Sequence, residues 1–423
     1  MKGTGLGKNI IEKILAKASG REEVSPGEIV EAKIDLAMLH ENTGTPAVMA
    51  FREIGLKNVW DPSKVVVILD HNAPAPTEIA AGLHKYMRAF VKEFRIGTFY
   101  DIREGICHQV LPEKGLVLPG QVVVGVDSHT CTYGALGLFS TGIGSTEMAG
   151  VLAAGTLWFK VPETLKFVYK GMLPPMVTPR DVILMTLGKI TSEGANYKSV
   201  EFAGPVIETM SMGGRLTMCN MAVEMGGKAG MAEPDEKTLA YLRERTKKSF
   251  EIVRADKDAV YERVLEFDVS DLEPQVACPH AVDSVKNISE VEGKEIHQAL
   301  IGSCNSGRVE NLREAAQILL GKTIPIDVRL IVYPASRGEY LAALKEGIIT
   351  TFLEAGAVVC NPNCGPCDGG HEGIMAEGEV SITTFPRNFK GRMGRGAEIY
   401  LASPYVVAAS ALKGKITDPR KLK

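Results

Sequence analysis

The chain predicts an α/β protein made of several packed units with largely parallel sheets. Short β-branched runs alternate with helical patterns from the N-terminus to about residue 160, the signature of α/β units whose strands run parallel. Val65-Val66-Val67-Ile68-Leu69 and Val122-Val123-Val124-Gly125-Val126 are nearly continuous apolar runs, as strands buried on both faces require. A length of 423 residues exceeds what one ordinary core organises, so two to four units are expected.

At the N-terminus, Met1-Lys2-Gly3-Thr4-Gly5 leads into an amphipathic pattern in which Ile10, Ile11, Ile14, Leu15 and Ala18 share a helical face and Gly20 closes it. This predicts a docking helix rather than a signal peptide. The first unit, 1–162, is expected to end after a helix containing Trp158. The second, 163–270, is rich in Met and Gly from Met210 through Met231, which reads as adaptable core. Its charged stretch from Arg243 to Arg263 reads as an exposed helix followed by a connection. The third unit, 271–423, contains the strand Ala299-Leu300-Ile301, which leads through Gly302-Ser303-Cys304 to a helix with Val309, Leu312, Ala316 and Leu319 on one face. Gly321 stands where a glycine cap ends that helix.

Composition narrows the function. A formal net charge of −3 gives no electrostatic case for nucleic acid or an anionic membrane as partner. No run approaches the ~18 apolar residues that span a bilayer. Eight cysteines in a chain of this length, without a disulfide-scaffold spacing, point to a reducing compartment, and a cytoplasmic location is expected.

Three of those cysteines carry the chemistry. Cys304 lies in Gly302-Ser303-Cys304-Asn305, and Cys364 and Cys367 lie in Asn363-Cys364-Gly365-Pro366-Cys367, each group following a short apolar run. Three thiolates suit a [4Fe–4S] cluster in which one iron lacks a protein ligand, and such an iron is a Lewis acid able to hold a substrate hydroxyl. That points to dehydration rather than electron transfer. The CxxC also fits a zinc half-site, with His371 and Cys304 completing Cys₃His, or a redox pair. Cys107, Cys131, Cys219, Cys278 and Cys360 lack comparable spacing and are expected to be buried, inert thiols.

Acid–base groups come as tight strings. Asp70-His71 ends one strand, Asp127-Ser128-His129 ends another, and His108 lies between them in Gly105-Ile106-Cys107-His108-Gln109. Ligands of open α/β sheets sit beyond the carboxyl ends of strands. A carboxylate beside an imidazole fixes its tautomer and raises its pKa, which suits a proton donor to a leaving hydroxide. Any one pair reads equally as a capped strand end; three at consecutive ends favour function. Asn220 and Glu224, four apart, would share a helix face, in solvent or in a site. Arg387 and Arg392 would suit a carboxylate clamp, or simply the surface. Gly142-Ile143-Gly144-Ser145-Thr146-Glu147 lacks the GxGxxG spacing of a dinucleotide loop.

Taken together, these strings resemble the aconitase family, in its 3-isopropylmalate dehydratase and homoaconitase large-subunit branch, over essentially the whole chain. The resemblance rests on Glu12-Lys13-Ile14-Leu15-Ala16, Asp127-Ser128-His129-Thr130, Gly302-Ser303-Cys304, Cys364-x-x-Cys367, Arg387-Asn388-Phe389-x-Gly391-Arg392 and Leu401-Ala402-Ser403-Pro404. It implies three α/β subdomains around a central [4Fe–4S] cluster with one labile iron, held by Cys304, Cys364 and Cys367. It further implies an acid–base shell of Asp70, His71, His108, Asp127, His129 and Glu224, with Ser128, Asn220, Arg387 and Arg392 facing substrate or cluster. The reaction implied is reversible dehydration and rehydration of a hydroxy di- or tricarboxylic acid.

Single-chain members carry a C-terminal swivel domain with the serine base. This sequence reaches Lys423 soon after the helical run Val406, Val407, Ala411 and Leu412, so a separate small subunit is expected to bring that base. Three departures stand out: Asn305-Ser306 replaces the usual Thr-Asn after the first cysteine, Pro386 precedes Arg387 where relatives have Asn, and Asp368 follows Cys367. They point to a paralogue acting on another branched or longer hydroxy acid. The alternative, a regulatory or RNA-binding protein on the same fold, is opposed by the retained acid–base strings and the absence of a basic stripe.

Overall fold

The computed structural model describes residues 7–422, so the opening Met1 to Gly5 string lies outside the described residues. Three larger sheets organise these residues. The first has five strands in the order Thr98–Tyr100, Val65–Ile68, Leu36–His40, Val122–Gly125, Phe139–Gly142, all parallel. Its three central strands are buried along their whole length, which is why they read as unbroken apolar runs. A second parallel sheet orders Ala229–Ala232, Ser199–Ala203, Thr164–Lys170 and Arg263–Asp268. The third has seven strands, with Gln298–Gly302 between Val380–Thr383 and Arg329–Tyr333. Its antiparallel pairings are confined to one edge, where Gln275–Ala277 pairs with Val285–Asn287 on one side and with Glu398–Leu401 on the other.

The helix Ile10–Ser19 forms as its pattern predicts. Asn9 and Glu12 cap each other's backbone, and Gly20 ends it at φ 69°, a conformation glycine adopts without Cβ strain. Ile10, Ile11, Ile14 and Leu15 are buried, while Ala18 is only half-buried.

Two local expectations are overturned. Trp158 is not helical: helix Ser145–Ala154 stops at Gly155 (φ 70°), and Trp158 lies on strand Thr156–Lys160, paired antiparallel with Ile29–Lys33. The run Thr156-Leu157-Trp158-Phe159 is rich in β-branched and aromatic residues, and that propensity wins once the glycine has ended the helix. The charged stretch contains no helix of its own, because Glu236–Arg243 ends where that stretch begins.

One titratable group is set against its surroundings. On helix Val309–Leu319, the Glu314 Oε2 is sealed from solvent without a partner. Burial, reinforced by Glu310, pushes its carboxyl up to about 8. The folded chain therefore holds a proton there that the unfolded chain releases, so stability falls as pH rises from the ordinary carboxylate range to about 8. Glu314→Gln removes that dependence. Urea unfolding is expected to show the variant gaining about 2 kcal/mol over the parent between pH 5 and pH 8; equal slopes would contradict the assignment.

Candidate active site

Three adjacent strands of the first sheet deliver acidic and imidazole side chains at their carboxyl ends. His40 is the last residue of Leu36–His40, Asp70 lies two past Ile68, and Asp127 lies two past Gly125. Asp70 is fully buried. Its Oδ2 accepts from Cys107 N at 2.7 Å, which caps helix Cys107–Glu113, whose own N-cap residue Ile106 makes no side-chain cap. That cap fixes His108 one residue on.

These groups converge on Asp127. His108 Nε2 lies 2.7 Å from Asp127 Oδ1, and His71 Nε2 lies 3.2 Å from Oδ2. The backbone N–H of His129 also donates to Oδ1 at 2.7 Å. His71 Nδ1 is 2.8 Å from Asp70 Oδ1, so its ring is clamped between two carboxylates. Burial alone would lower the His71 pKa, but Asp70 and Asp127 outweigh it and hold the imidazole well above its ordinary value. Burial would likewise raise Asp127, and the three histidines instead keep it well below the carboxylate range. His40 stacks on His71 with ring centroids 3.9 Å apart; burial and the His71 charge push its pKa down, so it stays neutral against that cation.

A second chain of contacts starts at His129. Its Nε2 lies 2.8 Å from Glu224 Oε1, which also accepts from Arg387 Nε at 2.7 Å. Arg387 Nη2 donates to Ser128 Oγ at 2.9 Å. Burial would raise Glu224, but His129 and Arg387 hold it below its ordinary value. Glu224 and Asn220 do not share a regular helix face, because helix Met212–Asn220 tightens into the 3₁₀ turn Met221–Met225 at that point. The change of pitch aims Glu224 at His129 and Asn220 at the cysteines.

Cys304, Cys364 and Cys367 are all buried against this shell. Cys304 sits in the turn Ser303–Ser306 directly after strand Gln298–Gly302. Gly302 has φ 130°, and a Cβ there would stand 1.9 Å from Tyr333 O, so only glycine lets strand and turn meet. Cys364 N donates to Asp70 O at 3.4 Å, which ties the Cys364–Cys367 loop to the acid–base shell. Asn220 Nδ2 lies 3.5 Å from Cys304 Sγ, and Arg392 Nη2 lies 3.8 Å from Cys367 Sγ, contacts that suit sulfur carrying negative charge. Burial pushes Cys304 up to about 12 and raises both other thiols, so loading a metal there must expel protons.

The donor set fits an iron–sulfur cluster better than zinc. A single tetrahedral zinc with ~2.3 Å bonds would draw three sulfurs to about 3.8 Å from one another. Among the described residues, the one His/Cys/acid group with ligand atoms all within 4.8 Å is His40, Glu41, Asp70 and His71, without the cysteines. His371 does not complete a Cys₃His site either. Its Nδ1 accepts from Glu372 N at 2.8 Å and its Nε2 lies 3.0 Å from Pro74 O, so both ring nitrogens are taken. Of the thiols expected to be buried, Cys107, Cys131 and Cys219 are, whereas Cys278 and Cys360 are half-buried.

Sequence reading missed His40 and Glu41. Glu41 accepts from Asp70 N at 3.0 Å and from Asn72 N, holding the strand-end loop. Burial would raise its carboxyl, but His84, His71, His40 and the Asn72 N–H bring it down to about 2. A signal is present in Leu36-Ala37-Met38-Leu39-His40-Glu41, an apolar run ending in an acid–imidazole pair, but Ala, Met and Leu lack the β-branching that marks a strand.

Known proteins share this sequence almost from end to end. The sequence profile described as Aconitase family (aconitate hydratase) matches residues 12–295 and 285–414. A probable 3-isopropylmalate dehydratase large subunit of Methanothermobacter thermautotrophicus is 57% identical over 98% of this chain and 99% of its own length. A 3-isopropylmalate dehydratase large subunit of Methanopyrus kandleri is 55% identical over 98% and 99%. A probable methanogen homoaconitase large subunit of M. thermautotrophicus is 52% identical over 98% of each chain. With nearly the whole sequence matched and the cysteines and strand-end acids gathered in one place, the chain belongs to the aconitase family.

Proposed function

We propose that this chain is the large catalytic subunit of a hydro-lyase that reversibly dehydrates a hydroxy di- or tricarboxylic acid such as 3-isopropylmalate or homoaconitate. The observation that carries the proposal is the meeting of Cys304, Cys364 and Cys367 with the bonded shell of Asp70, His71, His108, Asp127, His129 and Glu224. Relatives named for two different acids match at 57% and 52%, so the proposal spans both. The name "large subunit" shared by these relatives supports a separate small subunit as partner, which would bring the serine base.

Enzymes of this family generally use an iron–sulfur cluster, and here Cys304, Cys364 and Cys367 would hold a [4Fe–4S] cluster with one labile iron. When bound, it would supply a Lewis acid for the leaving hydroxyl. The rest falls to side chains. His71, kept protonated between Asp70 and Asp127, would donate to the departing hydroxide by releasing its longer contact, Nε2 to Asp127 Oδ2 at 3.2 Å. Asp127 orients the His71 imidazolium and His108 together, accepting from each at Nε2. Arg387 commits Nε and Nη2 to Glu224 and Ser128 and presents Nη1 to a substrate carboxylate, and Arg392 beside Cys367 offers a second cation. Among the described residues, no helix is long and apolar enough to cross a membrane.

Anaerobic reconstitution with iron and sulfide tests the proposal. About four irons per chain are expected, with a paramagnetic resonance signal that shifts on adding one hydroxy acid. Turnover is expected to require the small subunit; robust turnover by this chain alone would remove the partner from the proposal. Zinc held by the same cysteines, or no cluster in a folded chain, would overturn it.

A further inference from the structure

Arg180 is a deeply buried charge without an acidic partner. It is 2% exposed, near the start of helix Pro179–Ile190, where the helix dipole also disfavours a cation. Arg215, buried equally deeply, is matched by Asp235. Arg180 bonds only neutral acceptors: Asn305 Oδ1 at 2.9 Å, Phe385 O at 2.7 Å and Met221 Sδ at 3.3 Å. Its Nε is buried without any partner. The neighbouring Asp181 is turned away, toward Thr178 N and Gln275 N. Asp181 favours the cation through its charge but makes no hydrogen bond to the guanidinium, so the buried cation is left without a bonded counter-charge, a costly arrangement unless further negative charge is nearby.

The surroundings name that charge. The groups whose charge favours the Arg180 cation, after Asp181, are Cys304, Glu224 and Cys367. Glu224 is already matched by Arg387 at 2.7 Å, which leaves the thiolates. Burial lowers the Arg180 pKa only to about 10, so it remains charged at neutral pH.

A directed chain of hydrogen bonds joins Arg180 to the sulfur. A guanidinium can only donate, so Asn305 must turn its oxygen to Arg180 and its Nδ2 outward. That Nδ2 donates to Asn220 Oδ1 at 3.0 Å. Asn220 must then present its own Nδ2, which reaches Cys304 Sγ at 3.5 Å and Thr132 Oγ1 at 2.8 Å. Arg180 also touches two of the departures from the family pattern, through Asn305 and through the carbonyl preceding Pro386.

We infer that Arg180 is the buried counter-charge of the cluster held by Cys304, Cys364 and Cys367, and that it orients Asn305 and Asn220 so that an N–H points at Cys304 Sγ. The inference rests on the cluster reading above. Arg180 is a positioning residue, since nothing brings it into contact with substrate. Three thiolates on a doubly positive core leave a net negative charge, and one-electron reduction deepens it, so the cation stabilises the reduced form most.

The test is the midpoint potential of the reconstituted chain, followed by paramagnetic resonance, in the parent, Arg180→Lys and Arg180→Met. Arg180→Met is expected to lower the reduction equilibrium about tenfold, a shift of about 59 mV to more negative potential for one electron. Arg180→Lys keeps the charge and is expected to stay within about twofold of the parent. Without the cluster, Arg180→Met is expected to unfold no more readily than the parent, because a methionine replaces an unmatched buried charge. An unchanged potential in Arg180→Met, or an equal shift in Arg180→Lys, overturns the inference. If Arg180→Met fails to fold, Arg180→Gln, which keeps an N–H donor but not the charge, takes its place: the same negative shift is expected, and an unchanged potential overturns the inference. A parent chain that takes up no cluster overturns the hydro-lyase proposal and this inference with it, a result seen before any variant is compared.

Discussion

Asp127→Asn is expected to lower turnover of the two-subunit enzyme by about three to four orders of magnitude. The two oxygens of Asp127 accept from His108, His71 and the backbone of His129. An amide keeps one acceptor and turns an NH₂ donor toward an imidazole N–H, so at least one ring must change tautomer or move. The pH profile is expected to move too. Asp127 helps to hold the His71 pKa well above its ordinary value, and a donor acts only while protonated. Loss of the carboxylate lowers that pKa, so the alkaline limb of kcat/KM shifts to lower pH. Stability changes in the opposite direction. Asp127 is depressed by its histidines, so its contribution is present above the ordinary carboxylate pKa and fades as pH falls through its folded value; the variant lacks that acid-side loss. A rate within about tenfold of the parent, or an unmoved alkaline limb, would exclude Asp127 as the hub.

Cys364→Ala is expected to reduce reconstituted iron from about four per chain to less than one and turnover to background. The fold is expected to survive. Cys364 is 6% exposed and burial raises its thiol well above the ordinary value, so without metal it packs as a small neutral side chain. Truncation to alanine then costs about 1 kcal/mol. The same substitution at Cys131, equally free but with its thiol directed at Ser128 O and Asn220 O, is the control and is expected to keep its iron. Full iron retention in Cys364→Ala would remove this cysteine from the ligand set.

Read without any structure, the chain already reveals its α/β class and the doubly buried strands Val65–Ile68 and Val122–Gly125. It equally reveals the amphipathic first helix with its Gly20 cap, and it singles out the three cysteines that the fold buries beside the strand-end acids. These are local signals: apolar continuity, helical period and residue chemistry survive without knowledge of neighbours. The strand at Trp158 and the end of helix Glu236–Arg243 depart from the sequence expectation for a local reason too. A single glycine or a run of charge fixes a boundary only in competition with the residues next in the chain.

The site is legible in the sequence as a set of residues and not as a circuit. That Asp127 serves three histidines, and that Arg387 and His129 share Glu224, depends on side chains brought together across as many as 163 positions of chain. The pairing of Arg180 with Asn305, 125 residues apart, has no trace in either local sequence. Such contacts arise when distant segments pack against one another. Which buried charge meets which partner is therefore a property of the tertiary structure, because the cost of burying a charge depends on whatever the fold places beside it.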